Sequence, residues 1–395
     1  MRILFLDQSG ELGGAELCLL DLASRLSSDG LVALLADGPF AERLRQAQIP
    51  VQVLQSQATT VRKNSRLWQG IAGGGPLLLP AWRAGRLAQQ FDLIYANTPK
   101  ALIVGAIAHI LSRRPLVYHL HDILSDEHFS QTNLNLLVFL ANRFASLVIA
   151  NSEATRTAFV EAGGNAGAGD GQRDRCPVVY NGFDPAQYVV SSEQLDPLRC
   201  SLNLPAEAFI IGHFSRLSPW KGQHILLEAL AQCPEQVVAL LVGDALFGED
   251  EYVQQLHQQV ARLGLEGRVK FLGFRSDIPA LMHLCDLVAH TSTAPEPFGR
   301  VIVEAMLCGT PVVAARAGGA VELIEPGRTG WLTEPGNAAQ LAGVIQACLH
   351  NPQEAREGAI AARTSAYQHF GLDATCRKIN HLLDALAAEP RHSSP

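Results

Sequence analysis

Short apolar runs alternate with segments of helical periodicity along the whole chain. The first run, Ile3 to Leu6, is followed by turn residues and by a helical pattern from Ala15 to Leu26. Further runs that predict strands span Leu31 to Ala36, Val51 to Leu54, Leu93 to Ala96, Leu116 to His121, Leu147 to Ala150 and Val178 to Tyr180. Apolar runs of this length, separated by helices, are typical of parallel strands buried on both faces. The first half is therefore predicted to be a doubly wound α/β domain.

The same pattern starts again after residue 205. Its predicted strands span Phe209 to Phe214, Val237 to Val242, Val269 to Leu272, Leu287 to Ala289 and Pro311 to Ala314. Before it, Asp184-Pro185, Asp196-Pro197 and Leu204-Pro205 predict a turn-rich connection through which few helices could continue. Because 395 residues also exceed the length at which one core is practical, we predict two Rossmann-like domains, at residues 1–190 and 205–370.

The net charge of −7 is unevenly distributed, because the first 190 residues carry equal numbers of basic and acidic side chains. Within that neutral half, residues 61–90 contain no acid but hold Arg62, Lys63, Arg66, Arg83, Arg86, Trp68, Trp82 and the apolar run Leu77 to Leu79. This composition fits a segment that touches anionic lipid at a membrane face. It also fits a solvated basic surface with a tryptophan anchored in the core. Because the segment shows no clean amphipathic helix, both interpretations stay open.

Cysteine usage and hydropathy bear on the compartment. Eight cysteines are scattered without a Cys-x-x-Cys pair, and the N-terminus carries no signal-peptide pattern. The longest uncharged apolar run, Ala101 to Leu111, has about half the length needed to cross a bilayer. We therefore expect a cytoplasmic protein, either free or peripheral at the inner face of the membrane. We expect no nucleic-acid partner.

The most specific motif is Ala294-Pro-Glu296-Pro-Phe298-Gly299-Arg300-Val301-Ile-Val-Glu304-Ala-Met, followed by Gly309-Thr-Pro311 and Gly318-Gly319. The two prolines predict an extended loop around Glu296, and Gly299 lets the chain turn into a helix that carries Glu304. The backbone amides after Phe298 present partial positive charge, which suits a phosphate. The carboxylates accept hydrogen bonds and so suit sugar hydroxyls. Together these groups predict a nucleotide-sugar pocket.

This segment resembles the signature of retaining glycosyltransferases of family 4, the glycosyl transferases group 1, which have the GT-B fold. The resemblance implies an α/β protein of two facing Rossmann-like domains with the active site in the cleft between them. It implies that Glu304 binds the ribose hydroxyls and that Glu296 contacts the donor sugar. It further implies that a last helix, at residues 371–388, crosses back to the first domain.

The activity that the resemblance implies is that of a hexosyltransferase. A hexose would move from a nucleoside diphosphate sugar to an acceptor hydroxyl, with retention at the anomeric carbon. The acceptor is expected to be a glycan or glycolipid of the cell-surface or exopolysaccharide type. Two alternatives stay open: other chemistry on the nucleotide sugar, such as epimerisation, and nucleotide-sugar binding without catalysis. The base of the donor also stays open, although related enzymes hold it through backbone groups near the position of Arg275.

Arg216 and Lys221 follow the first predicted strand of the second half. At the carboxyl end of a parallel strand they are well placed to hold a diphosphate, and in the family the matching pair neutralises the leaving nucleoside diphosphate. The sequence contains no Asp-x-Asp motif for a divalent cation, and the resemblance likewise implies no metal or other cofactor. We therefore expect metal-independent transfer, in which these two residues and the helix N-terminus stabilise the leaving group.

Two motifs of the first half follow predicted strands. Gly13-Gly14 matches the family's glycine loop, which approaches the donor phosphate, and it lacks the Gly-x-Gly-x-x-Gly spacing of dinucleotide enzymes. His121 matches the family's active-site histidine beside the transferred sugar. His119 lies on the same strand face, so a metal pair is a second interpretation, but no third ligand with suitable spacing is evident.

Glu296 and Glu304 could also form the acid pair of a glycosidase. A fully helical stretch between them would separate them by about 12 Å, beyond the roughly 5–9.5 Å of such pairs. A hydrolase also has no use for an adjacent phosphate site, so this interpretation is disfavoured. The segments 57–82 and 163–175 fit no motif, and the glycine-rich residues 163–175 predict a mobile surface loop.

Overall fold

The computed structural model describes residues 1–8, 10–26, 29–54, 77–167, 174–245 and 248–388. The chain divides into two compact units: residues 1–182 together with the chain from residue 372 onward, and residues 183–371. Residues 183–204, predicted as a connection, therefore lie in the second unit. Arg62, Lys63, Arg66 and Trp68 fall outside the described residues, as does part of the predicted loop at 163–175.

The first unit is built on a six-stranded sheet in the order β3-β2-β1-β4-β5-β6, with every pair of neighbours parallel. Its strands are β1 (Ile3–Asp7), β2 (Leu31–Leu34), β3 (Val51–Val53), β4 (Leu93–Ala96), β5 (Leu116–Leu120) and β6 (Ala145–Ala150). Its helices up to residue 182 are α1 (Gly14–Leu26), α2 (Pro39–Gln46), α3 (Leu78–Ala88), α4 (Pro99–Ser112), α5 (Gln131–Phe144) and α6 (Glu153–Glu161).

Helices cover this sheet on both faces, which explains the continuous apolar character of its strands. Every residue of β1 is buried. Leu4 and Leu6 belong to a core cluster with α3, α4 and α5, whereas Ile3 and Phe5 belong to a second cluster with α1 and α2. A parallel sheet buried on both faces requires this arrangement.

The second unit repeats the architecture, with a parallel sheet in the order β12-β11-β10-β7-β8-β9. Its strands are β7 (Phe209–Phe214), β8 (Val237–Val242), β9 (Val269–Gly273), β10 (Leu287–His290), β11 (Val312–Ala315) and β12 (Trp331–Thr333). Its helices are α7 (Ser192–Ser201), α8 (Gln223–Leu230), α9 (Asp250–Arg262), α10 (Ile278–Leu284), α11 (Arg300–Cys308), α12 (Ala320–Leu323), α13 (Ala338–His350) and α14 (Pro352–His369). Two parallel sheets with helices confirm the predicted α/β class.

The last helix, α15 (Leu372–Ala388), belongs to the first unit. Cys376, Ile379 and Leu383 lie in the same core cluster as Cys18 and Leu19 of α1. Thr375 Oγ1 donates to the carbonyl oxygen of Tyr180 at 3.2 Å. Apolar packing along one face of α15 therefore anchors the end of the chain to the first unit.

Three local predictions differ from the structure. The predicted strand Val178 to Tyr180 forms only an isolated parallel bridge between Val178 and Ala150, because Pro177 has no amide to donate. At Asp196-Pro197, where a turn-rich connection through which few helices could continue is predicted, a helix does continue, since Pro197 lies inside α7. No residue of α7 is buried, so the carbonyl group that Pro197 leaves without a partner can bond to water. Strand β12 was not predicted; it is identified by its pairing with β11.

Candidate active site

Lys221 is held at the end of the second sheet by a close contact between two chain segments. The chain after β7 passes through the 3₁₀ turn Pro219–Lys221 and reaches Gly222, whose φ is 72°. Thr291 Oγ1, just after β10, lies 3.0 Å from the Lys221 carbonyl oxygen and 2.8 Å from that of Gly222. A Cβ atom at Gly222 would lie 2.0 Å from the Thr291 carbonyl oxygen. Only glycine allows this approach.

Several donors converge on the carboxylate of Glu296. It accepts hydrogen bonds from Lys221 Nζ at 2.7 and 2.9 Å, from Ser292 Oγ at 2.9 Å and from His290 Nε2 at 3.3 Å. Burial by itself would raise the pKa of Glu296, but the charge of Lys221 and the hydrogen bonds from His290 and Lys221 hold that pKa well below its usual value. Glu296 is therefore ionised at neutral pH, which does not suit a glycosidase general acid.

The Gly318-Gly319 pair fixes the loop that carries Glu296. Glu296 and Gly318 form a parallel bridge, and the Gly319 amide donates to the Glu296 carbonyl oxygen at 2.7 Å. A Cβ atom would lie 2.2 Å from the Glu296 carbonyl oxygen at Gly318, and 2.5 Å from that of Pro297 at Gly319. Close backbone packing therefore accounts for both motif glycines.

The N-terminus of α11 lies next to this cluster. The helix begins after Gly299, whose φ is 95°, and no side chain caps it. Its first amides therefore present the positive end of the helix dipole. Val301, Lys221 and Ser292 line one cavity of about 20 Å³, which has room for about one water molecule. A cation and a helix N-terminus thus flank the same small space, which favours an anionic group there.

Glu304 lies one turn into α11 and forms an ion pair with Arg300, with Nε and Oε1 3.4 Å apart. Both side chains are largely buried, at 12% and 15% exposure. The Arg300 guanidinium also lies 4.5 Å from the centre of the Phe183 ring. These contacts hold the Glu304 carboxylate in a fixed place beside the helix.

The side chain of Phe298, just before α11, packs into an aromatic core. Its side chain is only 2% exposed and packs on the rings of Phe183 and Phe370, with centroid distances of 6.3 and 5.9 Å. The motif places Phe298 among the donor-binding residues. In the structure only its backbone is available to a donor, because the side chain belongs to this aromatic core.

The remaining basic residues of the predicted site lie in different surroundings. The ring of Trp220 is close to both Arg216 and Lys221. The Arg216 guanidinium lies 5.8 Å from the centre of this ring, and Lys221 Nζ lies 4.0 Å from it. Arg275 instead forms a bidentate pair with Asp277, at 2.8 and 2.6 Å. Arg216 could therefore bind a diphosphate that lies near Lys221, since both side chains contact the same tryptophan ring. Arg275 is already bound to the carboxylate of Asp277.

In the first unit, His121 ends a chain of hydrogen bonds that starts at Asp7. Asn97 Nδ2 donates to Asp7 Oδ2 at 2.7 Å, which leaves Asn97 Oδ1 to accept from His121 Nε2 at 3.0 Å. Asn151 Nδ2 lies 3.4 Å from His121 Nδ1. Nε2 of His121 therefore faces an acceptor oxygen, and Nδ1 faces the Asn151 side-chain amide.

His119 and Cys18 lie beside His121. The His119 and His121 rings are 4.0 Å apart, and His119 Nδ1 is 2.8 Å from the hydroxyl of Tyr95. Burial lowers the pKa of His119 to about 3, so this ring is neutral. One ligand atom from each of Cys18, His119 and His121 lies within 4.8 Å of the others. No third ligand is evident from the spacing in the sequence, but the fold brings Cys18 from α1 to the two histidines.

Glu16 closes the glycine turn before α1. A Cβ atom at Gly13 would lie 2.7 Å from Glu16 Oε2, and Gly14 is the first residue of the helix. Glu16 is 7% exposed. Burial, with the nearby charges of Asp7 and Asp122, raises the pKa of Glu16 well above its usual value. Glycine at position 13 therefore makes room for a buried acid as well as for any ligand.

The residues of these clusters that were not identified from the sequence include Asp7, Asn97, His290 and Ser292. Asp7 and Asn97 directly end or follow strands β1 and β4, and His290 and Ser292 lie at the end of β10. Polar residues at the carboxyl ends of neighbouring parallel strands were the available signal.

Two family models match the chain. The family model for glycosyl transferases group 1 matches residues 196–365, and that for glycosyltransferase family 4 matches residues 12–187. The chain is similar to Anabaena HepE, solved in complex with UDP-glucose, with 56% identity over 98% of this chain and 100% of that one and a TM-score of 0.89.

More distant proteins match over nearly the whole chain. The D-inositol 3-phosphate glycosyltransferase of Corynebacterium glutamicum is 24% identical, over 96% of this chain and 94% of its own length. Sucrose-phosphate synthase from Thermosynechococcus elongatus, at 21% identity over 98% of this chain and 99% of that one, has a TM-score of 0.82 and shows the fold alone.

The two parallel sheets and the similarity to these solved structures define a GT-B protein. The chain belongs to glycosyltransferase family 4 and is a glycosyltransferase.

Proposed function

We propose that the chain transfers glucose from UDP-glucose to a hydroxyl of a glycan or glycolipid acceptor, with retention at the anomeric carbon and without a metal ion. One observation carries the proposal. Lys221 and Glu296 lie beside the α11 N-terminus, and Glu304 lies one turn into the same helix, in a chain that is 56% identical to a protein solved with UDP-glucose.

Each group of the cluster has a role that its chemistry suits. The Glu304 carboxylate would accept hydrogen bonds from the ribose hydroxyls, and Glu296 would accept them from the hexose. The amides of Gly299, Arg300 and Val301 would bind the phosphate nearer the sugar. Lys221, now bound to Glu296 at 2.7 Å, would reach the same phosphate, while Ser292 and His290 keep Glu296 in place.

The reaction is a front-face displacement. The acceptor oxygen forms a bond to the anomeric carbon on the face from which the β-phosphate oxygen departs, and the departing phosphate takes the acceptor proton. The charge that develops on the phosphate is stabilised by Lys221, Arg216 and the helix N-terminus, which replace a divalent cation. His121 and the Gly13-Gly14 turn of the first unit are proposed to contact the transferred hexose and the phosphate.

The experiment supplies purified protein with UDP-glucose, UDP-galactose, GDP-mannose and ADP-glucose, with and without EDTA. Thermal stabilisation and release of nucleoside diphosphate are recorded together. We expect UDP-glucose to stabilise the protein most, EDTA to change nothing, and Glu304→Ala and Lys221→Ala to lose the stabilisation. The exposed Glu354 supplies a control, since Glu354→Ala should retain it.

Each alternative predicts another outcome. Loss of turnover in EDTA, restored by a metal, would make the Cys18–His119–His121 cluster the first place to look for that ion. Conversion of the donor without an acceptor would support epimerase-like chemistry. Donor binding with no product, even with a mixture of membrane glycolipids, would support a binding protein.

We further propose that the protein works on the cytoplasmic side of a membrane, where both a nucleotide sugar and a lipid-linked acceptor are accessible. The supporting feature is the set of basic and apolar residues predicted at residues 61–90, of which Leu77 to Leu79, Trp82, Arg83 and Arg86 are described. Fractionation of cells of the source organism, followed by a salt wash, would test this: a peripheral protein leaves the membrane fraction in high salt.

A further inference from the structure

The imidazole ring of His119 has one buried nitrogen that no hydrogen bond satisfies. The side chain is 1% exposed, and its Nδ1 lies 2.8 Å from the hydroxyl of Tyr95. Its Nε2 has no hydrogen-bond partner among the residues that the structure describes. A buried polar atom without a partner is unusual in a folded protein and calls for a reason. Nε2 is therefore available to a ligand from outside the chain.

Two further side chains that can bind a metal ion lie beside His119. Cys18 of α1 is 1% exposed, and His121, directly after β5, is 8% exposed. One ligand atom from each of the three residues lies within 4.8 Å of the others. Ligand atoms that share one ion at about 2.0–2.3 Å lie roughly 3.5 Å apart. Small movements of the three side chains would therefore bring all of them to one ion.

Both histidines have the support that a metal-binding imidazole needs. A histidine that binds a metal donates its other ring N–H to an acceptor, which fixes the ring. His121 Nε2 lies 3.0 Å from Asn97 Oδ1, and Asn97 is itself bound to Asp7. The Tyr95 hydroxyl can accept from His119 Nδ1 in the same way, because a hydroxyl both accepts and donates. Each ring would then keep a lone pair for the ion, on Nδ1 of His121 and on Nε2 of His119.

The contacts that an ion would replace at this cluster include two weak ones. Cys18 Sγ donates to Asn181 Oδ1 at 3.4 Å, and Asn151 Nδ2 lies 3.4 Å from His121 Nδ1. A thiol is a weak donor, and 3.4 Å is long for a contact between two nitrogens. Binding of a metal ion by thiolate and imidazole releases far more free energy than two such contacts hold. These contacts therefore do not oppose an ion.

We propose that Cys18, His119 and His121 bind one Zn²⁺ ion, and that the bound ion inhibits the enzyme. Thiolate sulfur and imidazole nitrogen are ligands that zinc prefers, whereas Mg²⁺ and Ca²⁺ take oxygen ligands. On binding, the Cys18 thiol loses its proton to solvent and its sulfur donates an electron pair to the ion, with no change of oxidation state. Three protein ligands leave the fourth position of a tetrahedral zinc ion to water.

Inhibition follows from the position of His121, which is proposed above to contact the transferred hexose. Because Nε2 of this ring is held by Asn97, Nδ1 is the nitrogen left for the hexose as well as for the ion, so the two compete. To that extent the inference rests on the proposed function. The metal-free protein is then the active form, which is consistent with the metal-independent transfer proposed above. Zinc binding itself requires neither donor nor acceptor.

The test starts from the full chain, freed of metal by a chelator and dialysed. Zn²⁺ is titrated in competition with a chromophoric chelator, and Co²⁺ is added separately as a spectroscopic probe. We expect one ion per chain and a thiolate-to-cobalt charge-transfer band that Zn²⁺ abolishes. Release of UDP from UDP-glucose should fall over the same range of free Zn²⁺ in which the site fills.

Two variants remove one ligand each. Cys18→Ser retains the size of the side chain and removes the thiolate, and His119→Asn retains a polar atom for Tyr95 and removes Nε2. Loss of a residue that only supports a ligand weakens metal binding about 10- to 100-fold, so loss of a ligand should raise the Kd for Zn²⁺ at least about 100-fold. Cys18→Ser should also lose the charge-transfer band. Zn²⁺ at concentrations that inhibit the wild type should leave each variant at its own metal-free rate.

Cys376 supplies the matched control. It lies in the same core cluster as Cys18 and is 5% exposed, but within the described ranges it belongs to no comparable group of ligands. Cys376→Ser should therefore bind Zn²⁺ and respond to it like the wild type. Melting curves without metal verify that every variant is folded.

Equal Zn²⁺ affinities of the wild type and Cys18→Ser would overturn the site, as would a cobalt complex without a thiolate band. Zn²⁺ bound through these residues with an unchanged rate of UDP release would overturn the inhibition. If the metal-free protein releases no UDP from UDP-glucose at all, the proposed function fails, and the Zn²⁺ and Co²⁺ titrations still decide whether the site exists.

Discussion

Gly222 allows the structural account of the site to be tested by the addition of one methyl group. In Gly222→Ala the new Cβ would lie 2.0 Å from the Thr291 carbonyl oxygen, against a normal contact of more than 3 Å. The turn that ends in Lys221 must therefore move away from β10. The same substitution also places an alanine at φ 72°, which costs about 1–2 kcal/mol whatever surrounds it.

Gly336 separates these two effects. Its φ of 76° nearly equals that of Gly222, but nothing lies within 4 Å of a Cβ atom placed there. Gly336→Ala should therefore carry the backbone cost alone and lower the melting temperature by about 2–8 °C. Gly222→Ala should carry the same cost and in addition displace Lys221 from Glu296 and from the donor phosphate.

The assay is calorimetric titration of both variants with UDP-glucose. A hydrogen bond from a charged group is worth about 1.5–3 kcal/mol, so loss of the Lys221 contact predicts a Kd roughly ten- to more than a hundredfold higher in Gly222→Ala. Gly336→Ala should bind like the wild type. Equal affinities of the two variants would refute the argument that Gly222 positions Lys221 for the donor.

Three further predictions concern neighbouring groups. Ser292→Ala removes one hydrogen bond from the buried Glu296 carboxylate, so kcat/KM should fall about three- to tenfold and Ser292→Thr should recover part of it. Because the raised pKa of Glu16 favours its protonated form in the folded protein, folding stability should decline as pH rises above about 4.5. Glu16→Gln should have the melting temperature of the wild type at pH 4 and a higher one at pH 8. Parallel curves of melting temperature against pH for the two proteins would contradict this. Phe298→Ala should destabilise the second unit by about 3–5 kcal/mol, whereas a variant that unfolds like the wild type would contradict the aromatic core.

Most of the fold could be predicted because the residues of each core strand indicate by themselves that the strand is buried. Strands buried on both faces, such as Phe209 to Phe214 and Val237 to Val242, are continuous apolar runs, and their predicted and observed bounds agree. Elements that depend on partners could not be predicted this way. Strand β12 is a strand only because β11 lies beside it, with Val313 opposite Trp331.

The candidate site likewise has one part that could be predicted from the sequence and one part that could not. The loop acid, the helix N-terminus and the helix acid are adjacent in sequence, so one motif contains Glu296, Gly299 and Glu304. The contacts that fix them come from distant segments. Lys221 reaches Glu296 across 75 positions, and Cys18 approaches His121 only because α1 and β5 belong to the same layered unit. Such pairs have no characteristic spacing in the sequence, so they can be identified only once the sheet order is known.

Phe298 illustrates the opposite difficulty. A residue inside a ligand-binding motif invites a ligand-binding role, yet its side chain is 2% exposed and packs on Phe183 and Phe370. The Phe-Gly pair thus combines an anchor with a turn: the ring fixes the loop to the core, and Gly299 lets the helix start directly above it.

The central claim is that the Glu296–Glu304 segment binds a nucleotide sugar, and titration of Glu304→Gln with UDP-glucose tests it most directly. The exchange removes one charge and changes the size of the side chain little. If the Glu304 carboxylate accepts hydrogen bonds from the ribose hydroxyls, Kd should rise at least tenfold above the wild-type value. The melting temperature without ligand should also fall, because the largely buried Arg300 loses its charged partner. An unchanged Kd would contradict the account.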